Sequence, residues 1–224
     1  ERDYLKNGKL HSPPPEAGGI KRLFRFIRVR VEVLEMETAA GKTAVLIGAG
    51  QYGRGVIGLL LSRAGYHVVL ADVNETVIRD LQERGHYVVR RIDKNDVSVT
   101  VENISAMSAR SPMLAEACTA CDLLCTCTGL TALPKIAPVI AQSISLRRAR
   151  GFEGFTNILA CENAIGGTTT LKNLILELLD EADRDYLLRH VGFPDCAIDG
   201  IIPPQQNARP ADVTAEEYYE WDAL

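Results

Sequence analysis

From Thr43 onward the chain alternates short apolar runs with stretches of helical period. Val45-Leu46-Ile47 and Val68-Val69-Leu70-Ala71 are continuous apolar runs of strand length. Runs apolar on both faces read as strands buried inside a parallel sheet. The pattern predicts strands over Thr43–Ile47 and His67–Asp72, and helices over 53–64 and Glu75–Arg84, stopped by Gly65 and Gly85. Strands follow at 86–92 and 97–101, split by the polar turn Asp93-Lys94-Asn95-Asp96. A helix is expected over 112–120 with Pro112 in its first turn, a buried strand over 122–126 and a helix over 133–145. An exposed basic loop, Arg147-Arg148-Ala149-Arg150-Gly151, leads to a strand at 157–161 and a helix at 168–179. Alternating strands and helices of these lengths predict an α/β fold: a doubly wound, mostly parallel sheet with helices on both faces.

Residues 1–40 differ in kind. Residues 1–19 are polar, with Pro13-Pro14-Pro15 and Gly18-Gly19, and read as flexible or extended. Residues 26–35 alternate, with Arg28, Arg30 and Glu32 on one face and Val29, Val31 and Val33 on the other. That permits an amphipathic strand serving as a dimerisation edge or regulatory arm. Composition favours the plainer reading of a flexible or non-native extension, with Met36 as a candidate native start.

Composition narrows the function. The chain has 224 residues, 25 Lys and Arg against 29 Asp and Glu, and a net charge of −4, which argues against nucleic-acid and membrane-surface roles. No apolar run approaches the roughly 20 residues of a membrane span, and the first residues lack a signal peptide's apolar core. Six cysteines suit a reducing compartment, so a cytoplasmic protein is expected.

Gly48-Ala49-Gly50-Gln51-Tyr52-Gly53-Arg54-Gly55 carries G-x-G-x-x-G between a predicted strand and a predicted helix. The first glycine permits a tight turn, the second lets backbone amides approach a pyrophosphate, and the third lets helix and strand pack closely. The helix N-terminus adds amides and partial positive charge. The next strand ends in Asp72, followed by Val73 and Asn74. An acid there, roughly 20 residues beyond the turn, can accept from the adenosine ribose hydroxyls. Dinucleotide binding is therefore expected at Gly48, Ala49, Gly50, Gln51, Tyr52, Gly53, Arg54, Gly55, Asp72, Val73 and Asn74. Arg54, in the first turn of the helix, could contact a phosphate or a substrate anion.

Two further strands end at the same sheet edge, where ligands of doubly wound sheets bind. One runs into Thr128 and Gly129, placing them near the nicotinamide ribose or the pyrophosphate. The other ends in Glu162 and Asn163, followed by Gly166-Gly167-Thr168-Thr169-Thr170. Asn163 could donate to a substrate carbonyl or a nicotinamide amide, and Glu162 could accept from a sugar hydroxyl. The competing reading is an Asx turn or helix cap. Cys118, Cys121, Cys125 and Cys127 invite a metal reading, but two lie in a core strand and two straddle a helix end, so no metal is expected. His190 reads as a helix C-terminal charge rather than a base.

Taken together, Gly48 through Gly58 with its Gly-Arg-Gly-Val-Ile-Gly helix start, Ala71-Asp72-Val73-Asn74, Ala160-Cys161-Glu162-Asn163 and His190-Val191-Gly192-Phe193 with Asp199 resemble the mannitol dehydrogenase family over about residues 43–221. The helix start points to its mannitol 1-phosphate branch. The resemblance implies a Rossmann domain over 41–205 and an NAD(H)-dependent oxidoreductase interconverting mannitol 1-phosphate and fructose 6-phosphate. It assigns NAD phosphates to the glycine turn, the adenosine ribose to Asp72 and polarisation of the reacting oxygen to Asn163. No basic residue immediately follows Asp72, which disfavours NADP. Val56 stands where the family has Phe, and Gly166 where it has an arginine before Gly-Thr-Thr. The family's general base is a lysine in a helical C-terminal domain. No position here matches it, so 206–224 reads as the start of a connection to that domain. The expectation is a chain that binds NAD but turns over little, docks on that domain, and can self-associate through the uncovered surface. Other readings are a non-catalytic dinucleotide sensor, a methyltransferase, or a dehydrogenase acting on another polyol or sugar acid.

Overall fold

The computed structural model describes residues 41–92, 97–216 and, for the backbone alone, 219–223. The extension at 1–40 and the turn at 93–96 lie outside the described residues.

Strands β1 (Thr43–Ile47), β2 (His67–Asp72), β3 (Tyr87–Ile92), β4 (Ser98–Val101), β5 (Ile104–Ser108), β6 (Leu123–Thr126), β7 (Thr156–Ala160) and β8 (Val191–Gly192) are followed by β9 (Cys196–Gly200), β10 (Val213–Glu216) and β11 (Tyr219–Ala223). A six-stranded sheet has the order β5-β2-β1-β6-β7-β8, and every neighbouring pair in it is parallel. From β1 the chain steps outward to β2 and β5, then returns to β6 on the other side and steps outward again. The order thus reverses beside β1, and this is a Rossmann sheet. Central β1 is buried on both faces, as its unbroken apolar run requires.

Helices cover both faces. On one, the glycine-rich turn leads into a π-helical segment, Gly53–Gly58, continued by α1 (Leu59–Arg63), beside α2 (Glu75–Arg84). Ala44, Leu46, Ile57, Leu70 and Ile78 meet Tyr87 and Val89 there. On the other lie α3 (Leu114–Ala120), α4 (Leu133–Ala149), α5 (Gly167–Leu178) and α6 (Glu181–His190), where Val45, Ile47, Leu133, Ile140 and Leu171 form a second core. Asn74 begins α2 by accepting from the amides of Thr76 and Val77, and Gly85, with φ of +68°, ends it. His190 closes α6 and stacks on Tyr186.

Three expectations change. The basic stretch at 147–151 is not a loop: α4 continues through Ala149, and Arg147 is buried, donating to the carbonyls of Thr119, Cys121 and Gly154. A buried guanidinium needs such acceptors, and these come from distant residues. Helix α3 begins at Leu114, with Pro112 in the preceding turn. Strand β5 and strands β8 to β11 were not anticipated. A three-stranded sheet, β10-β3-β4, and a β9-β11 pair flank the main sheet. Strand β10 runs parallel to β3, with Val213 buried and Ala211 and Ala215 in the first core. The chain beyond residue 205, read as a connection, therefore packs into the domain at least as far as Glu216.

Candidate functional site

The carboxyl ends of β1, β2, β6 and β7 converge where the strand order reverses. Neighbouring connections leave there toward opposite faces and open a crevice. Two cavities lie in it, on either side of the glycine turn.

The first, of about 290 Å³, is lined by Ala49, Gly50, Gln51, Arg54, Asp72, Asn74, Thr76, Val77 and Pro210. The three glycines of the turn differ, and Gly50 alone of them lines this cavity. Gly48 has φ of +97°, and a Cβ there would lie 2.3 Å from the Cys127 carbonyl oxygen. A Cβ on Gly53 would lie 2.1 Å from the Gly48 oxygen. The turn itself demands both. A Cβ on Gly50 would meet nothing within 4 Å. Nothing inside the chain requires that glycine, and it is where an outside group can reach the backbone. The first turn of a helix starts here, so amides without intrahelical acceptors and a partial positive charge face the opening. Asp72 ends β2 at the cavity wall, with Oδ1 accepting from the Asn74 amide at 2.9 Å. Val73 lines neither cavity, and its side chain is exposed.

Arg54 is at the cavity but not free to grip an anion with its whole fork. It is 3% exposed. Its Nε donates to Ala211 O at 2.8 Å, Nη2 to Pro210 O at 3.2 Å, and Nη1 to Ala49 O. It ties the glycine turn to the loop before β10, which supplies Pro210 as a wall. Burial lowers its pKa, partly offset by Tyr87 and by the carboxylates of Asp72, Asp212 and Asp80. Gly55 faces away from the cavity: a Cβ there would come within 3.0 Å of Val213 Cγ1 and 3.1 Å of Ile202 Cδ1. It serves the packing of β10 against the helix.

The second cavity, of about 350 Å³, is lined by Tyr52, Cys127, Gly129, Leu130, Cys161, Glu162 and Asn163. Glu162 does not offer its carboxylate to a sugar. It is 6% exposed, and its two oxygens accept from the amides of Thr128 and Gly129, each at 2.9 Å. Thr126 Oγ1 approaches at 3.4 Å. Glu162 thus fixes the chain leaving β6, a charge-assisted cap of two adjacent amides. Asn163 is exposed on this cavity, and its Nδ2 donates to Asp199 Oδ1 at 3.2 Å. The hydroxyls of Tyr52 and Thr128 are buried without a partner. Burial raises the Tyr52 pKa, helped by neighbouring Cys127, Asp199 and Cys161, so the phenol stays protonated. Burial, with the Glu162 charge adding, pushes the Cys127 thiol up to about 12.

Sequence reasoning missed Pro210, Leu130 and Arg110. Arg110 follows the unanticipated β5 and braces the end of β2 from outside the cavities, donating to Val73 O at 2.9 Å and pairing with Glu75 at 3.4 Å. No local spacing signals any of these. Among the described residues no group of three or more His, Cys, Asp or Glu could hold a metal ion, and no helix is long and apolar enough to cross a membrane.

Residues 42–223 match the family model described as the mannitol dehydrogenase Rossmann domain. Mannitol-1-phosphate 5-dehydrogenase of Geobacillus thermodenitrificans (strain NG80-2) is 43% identical over 180 residues, covering 80% of this chain and 46% of that protein. The chain thus spans about half the length of this curated relative. Among solved structures, the ternary complex of Pseudomonas fluorescens mannitol 2-dehydrogenase with NAD and D-mannitol aligns with a TM-score of 0.70 at 14% identity, covering 82% of this chain and 49% of that one. Octopine dehydrogenase with NADH and pyruvate aligns at 0.53 and 11% identity, covering 81% and 43%. These structural likenesses establish the fold alone. The family match over 42–223 and the 43% identical relative place the chain in the mannitol dehydrogenase family, whose Rossmann domain it carries.

Proposed function

We propose that this chain is the NAD-binding half of a polyol-phosphate dehydrogenase interconverting mannitol 1-phosphate and fructose 6-phosphate. The observation that carries the reading is the pairing, in one cavity, of the Asp72 carboxylate with the unobstructed backbone at Gly50. On this reading the pyrophosphate lies over Gly50 and Gln51, and Asp72 accepts from the adenosine ribose hydroxyls. A carboxylate at that place repels a 2′-phosphate and so selects NAD over NADP. The second cavity, with Gly129 and Asn163 on its wall and Thr128 beside it, would hold the nicotinamide end. The 43% identical relative and the NAD complex of the structural relative support the assignment.

NAD, when bound, would supply the hydride acceptor for oxidation at the carbinol carbon of the polyol. Asn163 has one Nδ2 hydrogen on Asp199 and a second for the reacting oxygen, which it polarises as the carbonyl forms. Glu162 acts through the backbone, holding Thr128 and Gly129 in place. The alcohol proton needs an acceptor. In this family reading it is a lysine of a helical domain outside the matched residues. Gly166, with φ of +74° and open space around it, brings no cation to the substrate phosphate, so that charge is met elsewhere.

Calorimetric titration of the chain with NADH and NADPH, beside Asp72→Ala, tests the proposal. Micromolar NADH binding, weaker NADPH binding and roughly tenfold or greater loss in the variant are expected. NADPH binding as tight as NADH, or indifference to Asp72→Ala, would refute the cofactor assignment.

A further inference from the structure

Among the described residues three buried side-chain polar atoms lack a hydrogen-bond partner: Tyr52 Oη, Thr128 Oγ1 and Arg147 Nε. Arg147 Nε belongs to the buried face of α4, away from both cavities. The other two belong to one place. Tyr52 lines the second cavity, and Thr128 sits between Cys127 and Gly129, which line it as well. Buried hydroxyls in folded proteins nearly always have partners, because an unpaired one forfeits its hydration without compensation. One orphan on the cavity wall, with a second on the residue between two that line it, points to a polar group that enters the cavity and pairs there.

The groups around them narrow the chemistry. The amides of Thr128 and Gly129, the obvious backbone donors at this sheet edge, are both engaged by Glu162. Asn163 has one hydrogen on Asp199. The wall carries no cation: its remaining members are Cys127, Leu130 and Cys161. The incoming group is therefore not an anion. It must accept from a phenol that stays protonated and fit beside thiols and a leucine. Tyr52 also sits one position before the third glycine of the turn, so its ring faces the half of the site remote from Asp72.

We propose that the Tyr52 hydroxyl, assisted by that of Thr128, hydrogen-bonds the nicotinamide carboxamide and so sets the seat of the nicotinamide ring. This rests on the dinucleotide reading above and deepens it by giving Tyr52, expected at the cofactor from its place in the turn, a specific role: its Oη donates to the carboxamide oxygen.

The test compares NADH with ADP-ribose, which keeps the adenosine and pyrophosphate but lacks nicotinamide, by calorimetric titration of the whole chain. Wild type should bind NADH more tightly than ADP-ribose. Tyr52→Phe keeps the ring and should weaken NADH roughly 3- to 10-fold, the loss of one neutral hydrogen bond, while leaving ADP-ribose within about twofold. Thr128→Val should act in the same direction, more weakly. The ligand-free Tyr52→Phe chain should melt no lower than wild type, because the lost hydroxyl had no partner. A second measurement needs no variant: the thioamide analogue of NADH, whose sulfur is a poorer acceptor, should bind wild type more weakly than NADH. Equal loss of NADH and ADP-ribose, or no loss of either, in Tyr52→Phe would overturn the inference and leave the dinucleotide reading intact, as would wild type binding the thioamide and NADH equally. Failure of wild type to bind either NADH or ADP-ribose would overturn the dinucleotide reading and this inference with it.

Discussion

The two cavities flanking the glycine turn differ in how complete they are. The one at Asp72 has its polar groups arranged: Asn74 caps α2, Asp72 accepts from the Asn74 amide, and Arg54 bonds three carbonyls. The one at Asn163 has two orphaned hydroxyls, with exposed Leu130 at its wall and exposed Ile165 close by in sequence. The first can receive a ligand with little rearrangement. The second is finished by what enters it. A Rossmann domain that shares its catalytic work with other parts of a protein is expected to show this asymmetry: the cofactor's anchoring half is local, and the reacting half is not.

Substitutions at the glycines should separate folding from binding most sharply. Gly48→Ala and Gly53→Ala drive a Cβ into backbone oxygens, and each should cost about 3 kcal/mol or more, read by chemical denaturation. Gly50→Ala, with open space around it, should change stability by less than about 1 kcal/mol yet weaken NADH by more than about tenfold. If Gly50→Ala bound NADH normally, the turn would be a packing device only.

Next in size is Arg54→Met, which leaves three carbonyls unpaired and should cost about 3 kcal/mol. An arginine serving only as an anion ligand would instead leave denaturation unchanged and weaken binding alone. Glu162→Gln keeps the shape but loses the charge-assisted cap, and about 1.5–3 kcal/mol of stability should go with it. A ligand role would show as lost binding at constant stability.

At neutral pH the thiols contribute the smallest effect, because their influence on stability appears only in alkali. Burial raises Cys121 and Cys127 to about 12, so the folded chain keeps protons that the unfolded chain releases near pH 9. The unfolded state then binds fewer protons, and stability falls as pH rises from about 9 toward 12, by up to about 1.4 kcal/mol per unit for each thiol. Cys127→Ser should remove the Cys127 share of that decline and leave the Cys121 share, without altering stability at pH 7 by more than about 1 kcal/mol, as denaturation at several pH values would show.

Much of the fold was legible because its signals are local. Strands β1 and β2 and helix α2 fall where the apolar runs, Asn74 and Gly85 place them. Strand β5, Ile-Ser-Ala-Met-Ser, escaped notice because an edge strand needs no apolar run, and it is only partly buried. Strand β10 and the pairing of Arg147 depend on partners far along the chain, which no window of sequence contains. The site divides the same way. Gly48, Gly50, Gly53 and Asp72 announce themselves by spacing. Glu162 looked like a ligand group because it sits beside Asn163 at the end of β7. Its true partners are the amides of Thr128 and Gly129, over thirty residues away.

The most direct test is a crystal structure of the chain grown with NADH. The account predicts adenosine ribose hydroxyls within hydrogen-bond distance of the Asp72 carboxylate, the pyrophosphate over Gly50, and the nicotinamide beside Tyr52 and Asn163. NADH in the reverse orientation, or at any other surface, would contradict it.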